Sequence, residues 1–450
     1  MTPLIIDGAA VSTVDAAGTE HAFGHVVVEH GRITAVGPGQ APRPAGPHTW
    51  VDGSGCLVTP GLVNTHHHLY QSATRGYAPD AGLFPWLTEL YPVWRGLDEE
   101  ITHAAACAGL ARLALTGCTT AADHHYVFPR AGGDPFAAVV GAGRRIGLRL
   151  HAVRGSMDRG AAQGGLPPDD LVEGTEEALT ATEKAIGDHH DPAAEAMTRV
   201  AVGPCSPFSV SAELLRGAAE LARHKGVRLH THLAETADEE AHCLATYGRT
   251  PVEHAERLGW LGPDVWLAHT VHLSAAAVKA LADSGTGSAH CPTSNGRLGV
   301  GVPPVRALLD AGVPVGLGVD GAASNESGSL VEELREALTQ ARQRGGPGAL
   351  TTREALWLGT MGGARCLGRE GELGSLEPGK LADLAVWRLD GLDHAGIEDP
   401  VTALVLGPRP VVRLLLVGGK TVVDDGALRT ASVGDLARDL RAAARRLKEA

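Results

Sequence analysis

The densest run of chemistry-bearing residues is Pro60-Gly-Leu-Val-Asn-Thr-His66-His67-His68. Successive side chains of an extended segment point to opposite faces, so His66 and His68 project together and His67 points away. Two imidazoles spaced this way suit a divalent metal. A second apolar run ends Leu229-His230-Thr-His232-Leu-Ala-Glu235. His230 and His232 share a face there, so periodicity leaves either as a ligand, and Glu235 follows where the run breaks into a loop. Two more runs end Leu267-Ala-His269 and Gly316-Leu-Gly-Val-Asp320-Gly. One such residue alone reads as a hydrogen-bonded core or rim group. Four separate strands, each delivering His, Glu or Asp at its carboxyl end, read as a metal centre with acid–base groups beside it.

These ends must be brought to one place. Short apolar strands recur at 57–63, 118–122, 148–153, 200–204, 227–233, 265–269, 287–290 and 314–319, separated by helical patterns such as 213–225 and 274–284. Strands alternating with helices predict parallel βα units and an α/β (β/α)8 barrel of the TIM type, in which every strand's carboxyl end opens onto one face. An open doubly wound sheet is the alternative, but no Gly-x-Gly-x-x-Gly follows any strand. Both ends of the chain differ from this middle: 25–29, 31–36, 51–53, 382–387, 411–417 and 421–423 are β-rich and punctuated by glycine. The expected organisation is residues 1–58 as the first part of a small β-sandwich, 59–370 as the barrel, and 371–450 as the rest of the sandwich plus a helix at 433–448.

Composition limits the partners. The 450 residues are 44% hydrophobic, enough for a large core, and carry a net charge of −13 without basic clusters, which argues against nucleic acid. No apolar stretch approaches the ~20 residues of a membrane span, and the first residues lack a basic leader pattern. Seven scattered cysteines with no Cys-x-x-Cys pair suit reduced thiols in the cytoplasm. Aromatics are scarce, yet Tyr70, Tyr77, Phe84, Trp86, Tyr91 and Trp94 fall within residues 70–94, the loop after the first barrel strand. That cluster suits a satellite core, a subunit contact, or an apolar lid stacking on a flat ring; together with the C-terminal helix it makes a homo-oligomer the expected state.

The pattern Pro60-Gly-x-x-Asn-x-His66-x-His68, His232-x-x-Glu235, His269 and Asp320-Gly, with Gly374-Ser-Leu-Glu-Pro-Gly-Lys380-x-Ala-Asp383 late in the chain, resembles the amidohydrolase superfamily over nearly the whole length. The resemblance implies that His66, His68, His232 and Asp320 hold metal, which selects His232 over His230. Binuclear relatives carry a carboxylated lysine at the end of strand four; here that strand reads Arg199-Val-Ala-Val-Gly-Pro-Cys205-Ser206, so one divalent ion is implied, zinc first and iron second. The segments Asn64-Thr-His-His-His-Leu-Tyr-Gln71, Leu83-Phe-Pro-Trp-Leu87, Pro204-Cys-Ser-Pro-Phe-Ser209 and His290-Cys-Pro-Thr-Ser-Asn295 are similar to the branch that deaminates aminated heterocycles. Some chloride-displacing relatives lack the strand-eight aspartate, which this chain keeps.

The implied reaction is hydrolytic deamination of a purine-like ring, 8-oxoguanine to urate and ammonia first, with s-triazines, isocytosine-like rings or other amino-heterocycles as the alternative. The implied roles are Glu235 as proton donor to a ring nitrogen, His269 as orienter of the attacking water, and Asp320 as base. Gln71, Cys205 and Ser206, with Glu235 and His269, are the expected substrate contacts. Gly296, where relatives place a larger residue, is expected to widen the pocket. His124, His125 and His151 read as core or supporting residues, and Asn295, Ser324 and Asn325 as turn hydrogen bonders.

Overall fold

The computed structural model describes residues 2–43 and 45–449. Eight parallel strands close a barrel in chain order: Leu62–Asn64, Cys118–His125, Arg149–Ser156, Thr198–Pro204, Arg228–Leu233, Val265–His269, Gly287–His290 and Val315–Leu317. The helices between them start and stop on local signals. Asp98, Ser211, Thr236 and Ser274 cap helix N-termini through their side chains, while Gly147, Gly226, Gly248 and Gly285 end helices in the left-handed conformation. The predicted helices at 213–225 and 274–284 are observed as Ala212–Lys225 and Ala275–Ser284.

The predicted strand at 57–63 is two strands in two sheets. Cys56–Pro60 pairs antiparallel with Leu384–Arg388 in the terminal sheet, whereas Leu62–Asn64 begins the barrel. The break falls at Gly61, whose N–H donates to Asp383 O and whose Cα lies so close to Thr119 that a Cβ would meet its side chain at 2.2 Å. Only glycine permits that approach. A nearly continuous apolar run crosses the break, which is why the sequence reads as one strand.

Both termini build a nine-stranded mixed sheet: Leu4–Ser12, Glu20–Glu29, Arg32–Pro38, Thr49–Asp52 and Cys56–Pro60 from the front, and Leu384–Arg388, Val411–Val417, Lys420–Asp424 and Ala427–Leu428 from the back. Ile6, Val26, Val58, Leu384, Val386 and Leu416 form its own apolar core. Its other face, with Leu57, Ala385, Trp387 and Leu415, joins the main core of the barrel, and a buried ion pair adds to that tie. Arg149, at the start of the third barrel strand, is fully buried, and its Nε and Nη2 donate to Asp383 at 2.7 and 3.0 Å. Asp383 also accepts from Gly418 N at 2.7 Å, and Arg149 donates to Glu195 O. The last helix, Val433–Glu449, turns Leu436, Ala443 and Leu447 into the main core and pairs Arg446 with Asp98 and Glu100. Its apolar stripe is thus covered within the chain. No helix of the described residues is long and apolar enough to cross a membrane.

Inside the barrel, small residues on most strands (Val63, Ala122, Val153, Ala201, Ala289) surround one large one, Trp266. Its indole N–H donates to Thr65 O at 3.0 Å, so the ring forms a floor just below the carboxyl ends of the strands.

Removing Arg149 would strand the Asp383 carboxylate in a dry interface. The Arg149→Leu protein should lose about 3–5 kcal/mol of unfolding free energy, read as a lower urea midpoint. A midpoint within error of the parent would show that the ion pair does not join the two units.

Candidate active site

The residues singled out by type and spacing meet at the carboxyl end of the barrel. His66 and His68 follow the first strand, with rings 4.7 Å apart, and His67 points away toward Gly109 of the helix Glu99–Ala114. His68 Nε2 lies 3.1 Å from His232 Nε2 and 3.3 Å from Asp320 Oδ1, and His66 Nε2 lies 3.4 Å from the same oxygen. The rings of His232 and His269 stack at 5.5 Å. His269 Nε2 is 3.7 Å from Glu235 Oε1 and 4.0 Å from Asp320 Oδ2. All six side chains are buried.

The donor atoms suit a cation. His68 Nδ1 lies 2.6 Å from His124 O and His232 Nδ1 lies 2.7 Å from Cys205 O. A carbonyl only accepts, so both protons sit on Nδ1 and both Nε2 atoms present lone pairs. His66 Nε2 has no hydrogen-bond partner at all. Lone pairs facing one another across about 3 Å repel unless a positive charge lies between them. A tetrahedron with ~2.1 Å metal–ligand bonds has edges of about 3.4 Å, the scale of these separations. Burial pushes His68 down to about 3 and His232 well below the usual histidine range, keeping both free of a competing second proton. His124 also brings a ring nitrogen within reach of His66, His68 and His232, with its Nδ1 unpartnered and its Nε2 on Gly203 O at 2.6 Å.

Beside these donors sits an acid pair. Burial raises Glu235, with His269 working against that and Asp320 with it. Burial would lower His269, but Glu235 and Asp320 outweigh it and raise that imidazole instead. Both groups therefore tend to hold a proton where the ligand imidazoles do not.

Backbone geometry aims these groups. Ala234, His269 and Asp320 have φ of +55°, +73° and +64°, a region that L-residues seldom adopt. Each is held by a neighbour that sequence reasoning passed over. Glu239 accepts from Ala234 N at 2.8 Å and Glu235 N at 2.9 Å. Asn295 Oδ1 faces His269 Nδ1 at 3.0 Å, so it orients the imidazole and is not the turn residue that was expected. Ser294 donates to Asp320 Oδ2 at 2.6 Å. The Thr236-x-x-Glu239 spacing is a capping-box signal, and it conceals the real partner, because the Glu239 carboxylate reaches past Thr236 to the two preceding amides.

The cavity above is lined by Gln71, Cys205 and Ser206, as expected for substrate contacts, and roofed by Phe84, Trp86, Tyr91 and Phe208. Tyr70 and Trp94 pack edge-to-face beneath, so the aromatic segment is both a small core and a pocket wall. Gln71 Oε1 has no partner and lies where a Cβ on Gly321 would be. Gly296 does not widen this pocket: it is absent from the lining, and a Cβ there would meet only Gln340 on another helix, at 3.6 Å. His151 lies in the third strand against Trp266, below the site, and His125 Nε2 donates to Val127 O. Ser324 and Asn325 remain turn residues.

Residues 57–422 match the profile of the amidohydrolase family. The chain is 47% identical over 429 residues to an 8-oxoguanine deaminase of Pseudomonas aeruginosa, covering 94% of each. It is 39% identical over 437 residues to an isoxanthopterin deaminase from an unknown prokaryotic organism, covering 92% of this chain and 90% of that one. Among solved structures, the atrazine chlorohydrolase of Arthrobacter aurescens in complex with zinc matches with a TM-score of 0.92 at 33% identity, covering 98% of this chain and 100% of that one.

Stripped with a chelator and titrated with zinc, the protein should take up a single equivalent per chain, and His232→Ala should weaken that uptake by orders of magnitude. Two equivalents in the parent would move His124 into a second site.

Proposed function

We propose, because this chain belongs to the amidohydrolase family, that it is a metal-dependent hydrolytic deaminase of a purine-like heterocycle, with 8-oxoguanine the first substrate and urate plus ammonia the products. The observation that carries this reading is the buried acid pair of Glu235 and His269 facing Asp320 under an aromatic roof. That arrangement brings a proton donor and a proton acceptor to one cavity. The likeness to deaminases of 8-oxoguanine and isoxanthopterin, both fused amino-heterocycles, supports the same reading.

His66, His68, His232 and Asp320 would hold one divalent ion, zinc by donor type. When bound, such an ion supplies Lewis acidity that lowers the pKa of water from ~16 toward ~7. Asp320 then accepts the proton of the attacking water. Glu235, whose pKa burial raises, gives its proton to the ring nitrogen beside the attacked carbon, so negative charge does not build up there. His269, oriented by Asn295, hydrogen-bonds the oxygen that develops charge. Asp320 passes its proton to the departing amino group, ammonia leaves, and the added hydroxyl becomes the product carbonyl as its proton returns to Glu235. For 8-oxoguanine the attacked atom is carbon 2. Gln71, Cys205 and Ser206 would read the ring edges, and Phe84, Trp86 and Tyr91 would exclude water and stack on the ring.

A cytoplasmic location is part of this reading, since all seven cysteines are buried and unpaired. So is a homo-oligomer, with the helix Leu83–Trp94, whose Leu83, Phe84 and Leu87 stay half-exposed, as its contact.

An ammonia-release screen of zinc-loaded protein against 8-oxoguanine, guanine, isocytosine and hydroxylated s-triazines should give kcat/KM above ~10⁴ M⁻¹s⁻¹ for 8-oxoguanine, well ahead of the others. Turnover of another ring alone would transfer the reading to a sister deaminase with the same site. Glu235→Gln should keep its zinc and lose about 10²–10⁴ in kcat; near-parental turnover would remove Glu235 from the proton path.

A further inference from the structure

His230 is the strand-five histidine that the metal reading leaves unused, yet it touches the proposed ligands. Its Nε2 lies 2.8 Å from His66 Nδ1, and its own Nδ1 lies 2.8 Å from Trp266 O. Its ring stacks on the Trp266 indole at 4.4 Å and 20°. Both imidazoles are fully buried. We infer that His230 is a positioning residue that sets the tautomer of His66 and so keeps His66 Nε2 available to a metal. The inference rests on the metal reading above.

The argument is one of proton counting. The Trp266 carbonyl can only accept, so His230 Nδ1 must carry hydrogen. A neutral imidazole has a single N–H, which leaves His230 Nε2 bare. A hydrogen bond at 2.8 Å then requires the proton to come from His66 Nδ1. His66 Nε2 is thereby bare as well, in agreement with its lack of any partner. His68 and His232 reach the same state through a backbone carbonyl directly. Of the three imidazoles, His66 is the one whose proton is placed by a side chain, so it is the one whose placement substitution can change. Without His230 the His66 proton can move to Nε2 and be donated to Asp320 Oδ1, now 3.4 Å away. That bond would occupy two of the four donors and close the site to a cation.

The test compares zinc affinity, by chelator competition, of the parent, His230→Leu and His230→Gln proteins, with thermal melting of each metal-free form as a control for folding. Glutamine keeps a carbonyl oxygen near the position of Nε2; leucine does not. Leucine should weaken zinc binding about 10–100-fold, and glutamine should restore most of it. Parental affinity in a folded His230→Leu protein would overturn the inference, as would equal losses in both variants, which would mean that ring packing alone matters. Should the leucine variant not fold, long-range ¹H–¹⁵N spectra of the metal-free parent decide, with the His66 signals assigned by their loss in His66→Asn. A proton on His66 Nδ1 upholds the relay and one on Nε2 overturns it. A parent that binds no zinc would sink the deaminase reading, while the same spectra would still judge the relay.

Discussion

A neutral imidazole owns one proton, and where that proton sits decides whether the ring donates or ligates. The centre of this protein is organised around that constraint. The carbonyls of His124 and Cys205, at the carboxyl ends of two barrel strands, take the protons of His68 and His232, and the carbonyl of Trp266, deeper in a third strand, takes that of His230, which in turn faces His66. Barrel register and ligand tautomer are therefore one problem: a one-residue slip in Arg228–Leu233 would move the histidine face outward and withdraw the nitrogens together.

Aiming side chains at one point also distorts the chain that carries them. The left-handed conformations of Ala234, His269 and Asp320 cost of order 1–3 kcal/mol each. They persist because Glu239, Asn295 and Ser294 hold each turn from a neighbouring element, and because the Trp266 floor leaves no room to relax inward. This strain lies at the mouth of the barrel. Below it the barrel is ordinary close packing of small residues around one indole, and the ionic tie of Arg149 to Asp383 anchors the opposite end.

Much of this is legible in the sequence because it is local. The eight strands and their order follow from recurring apolar runs, and four of those runs lead into His66 and His68, the His230/His232 pair with Glu235, His269 and Asp320; the choice of His232 over His230 comes from the family pattern and not from periodicity. What escapes is whatever depends on two distant segments touching. Gly61 as a junction needs Thr119 beside it, the role of Asn295 needs the sixth strand, and the exclusion of Gly296 from the pocket needs the direction of a short helix. His230 lies between these cases: its face is readable from the two-residue period, but its task needs Trp266, which comes 36 residues later. The signature ending in Asp383 likewise reads as a family mark until Arg149 is seen beneath it.

The junction at Gly61 has a bearing on how the protein is made. Cys56–Pro60, which leads within a few residues to His66 and His68, pairs on one side with Leu4–Ser12 and on the other with Leu384–Arg388. During synthesis the first partner is already present, but the second leaves the ribosome only after the entire barrel has been translated. The sheet strand that leads into the first two histidines is therefore completed late: the barrel can close once Val315–Leu317 has emerged, but Cys56–Pro60 keeps one open edge in the terminal sheet until Leu384–Arg388 follows. Such long-range closure is slow and leaves an unpaired edge exposed in the meantime.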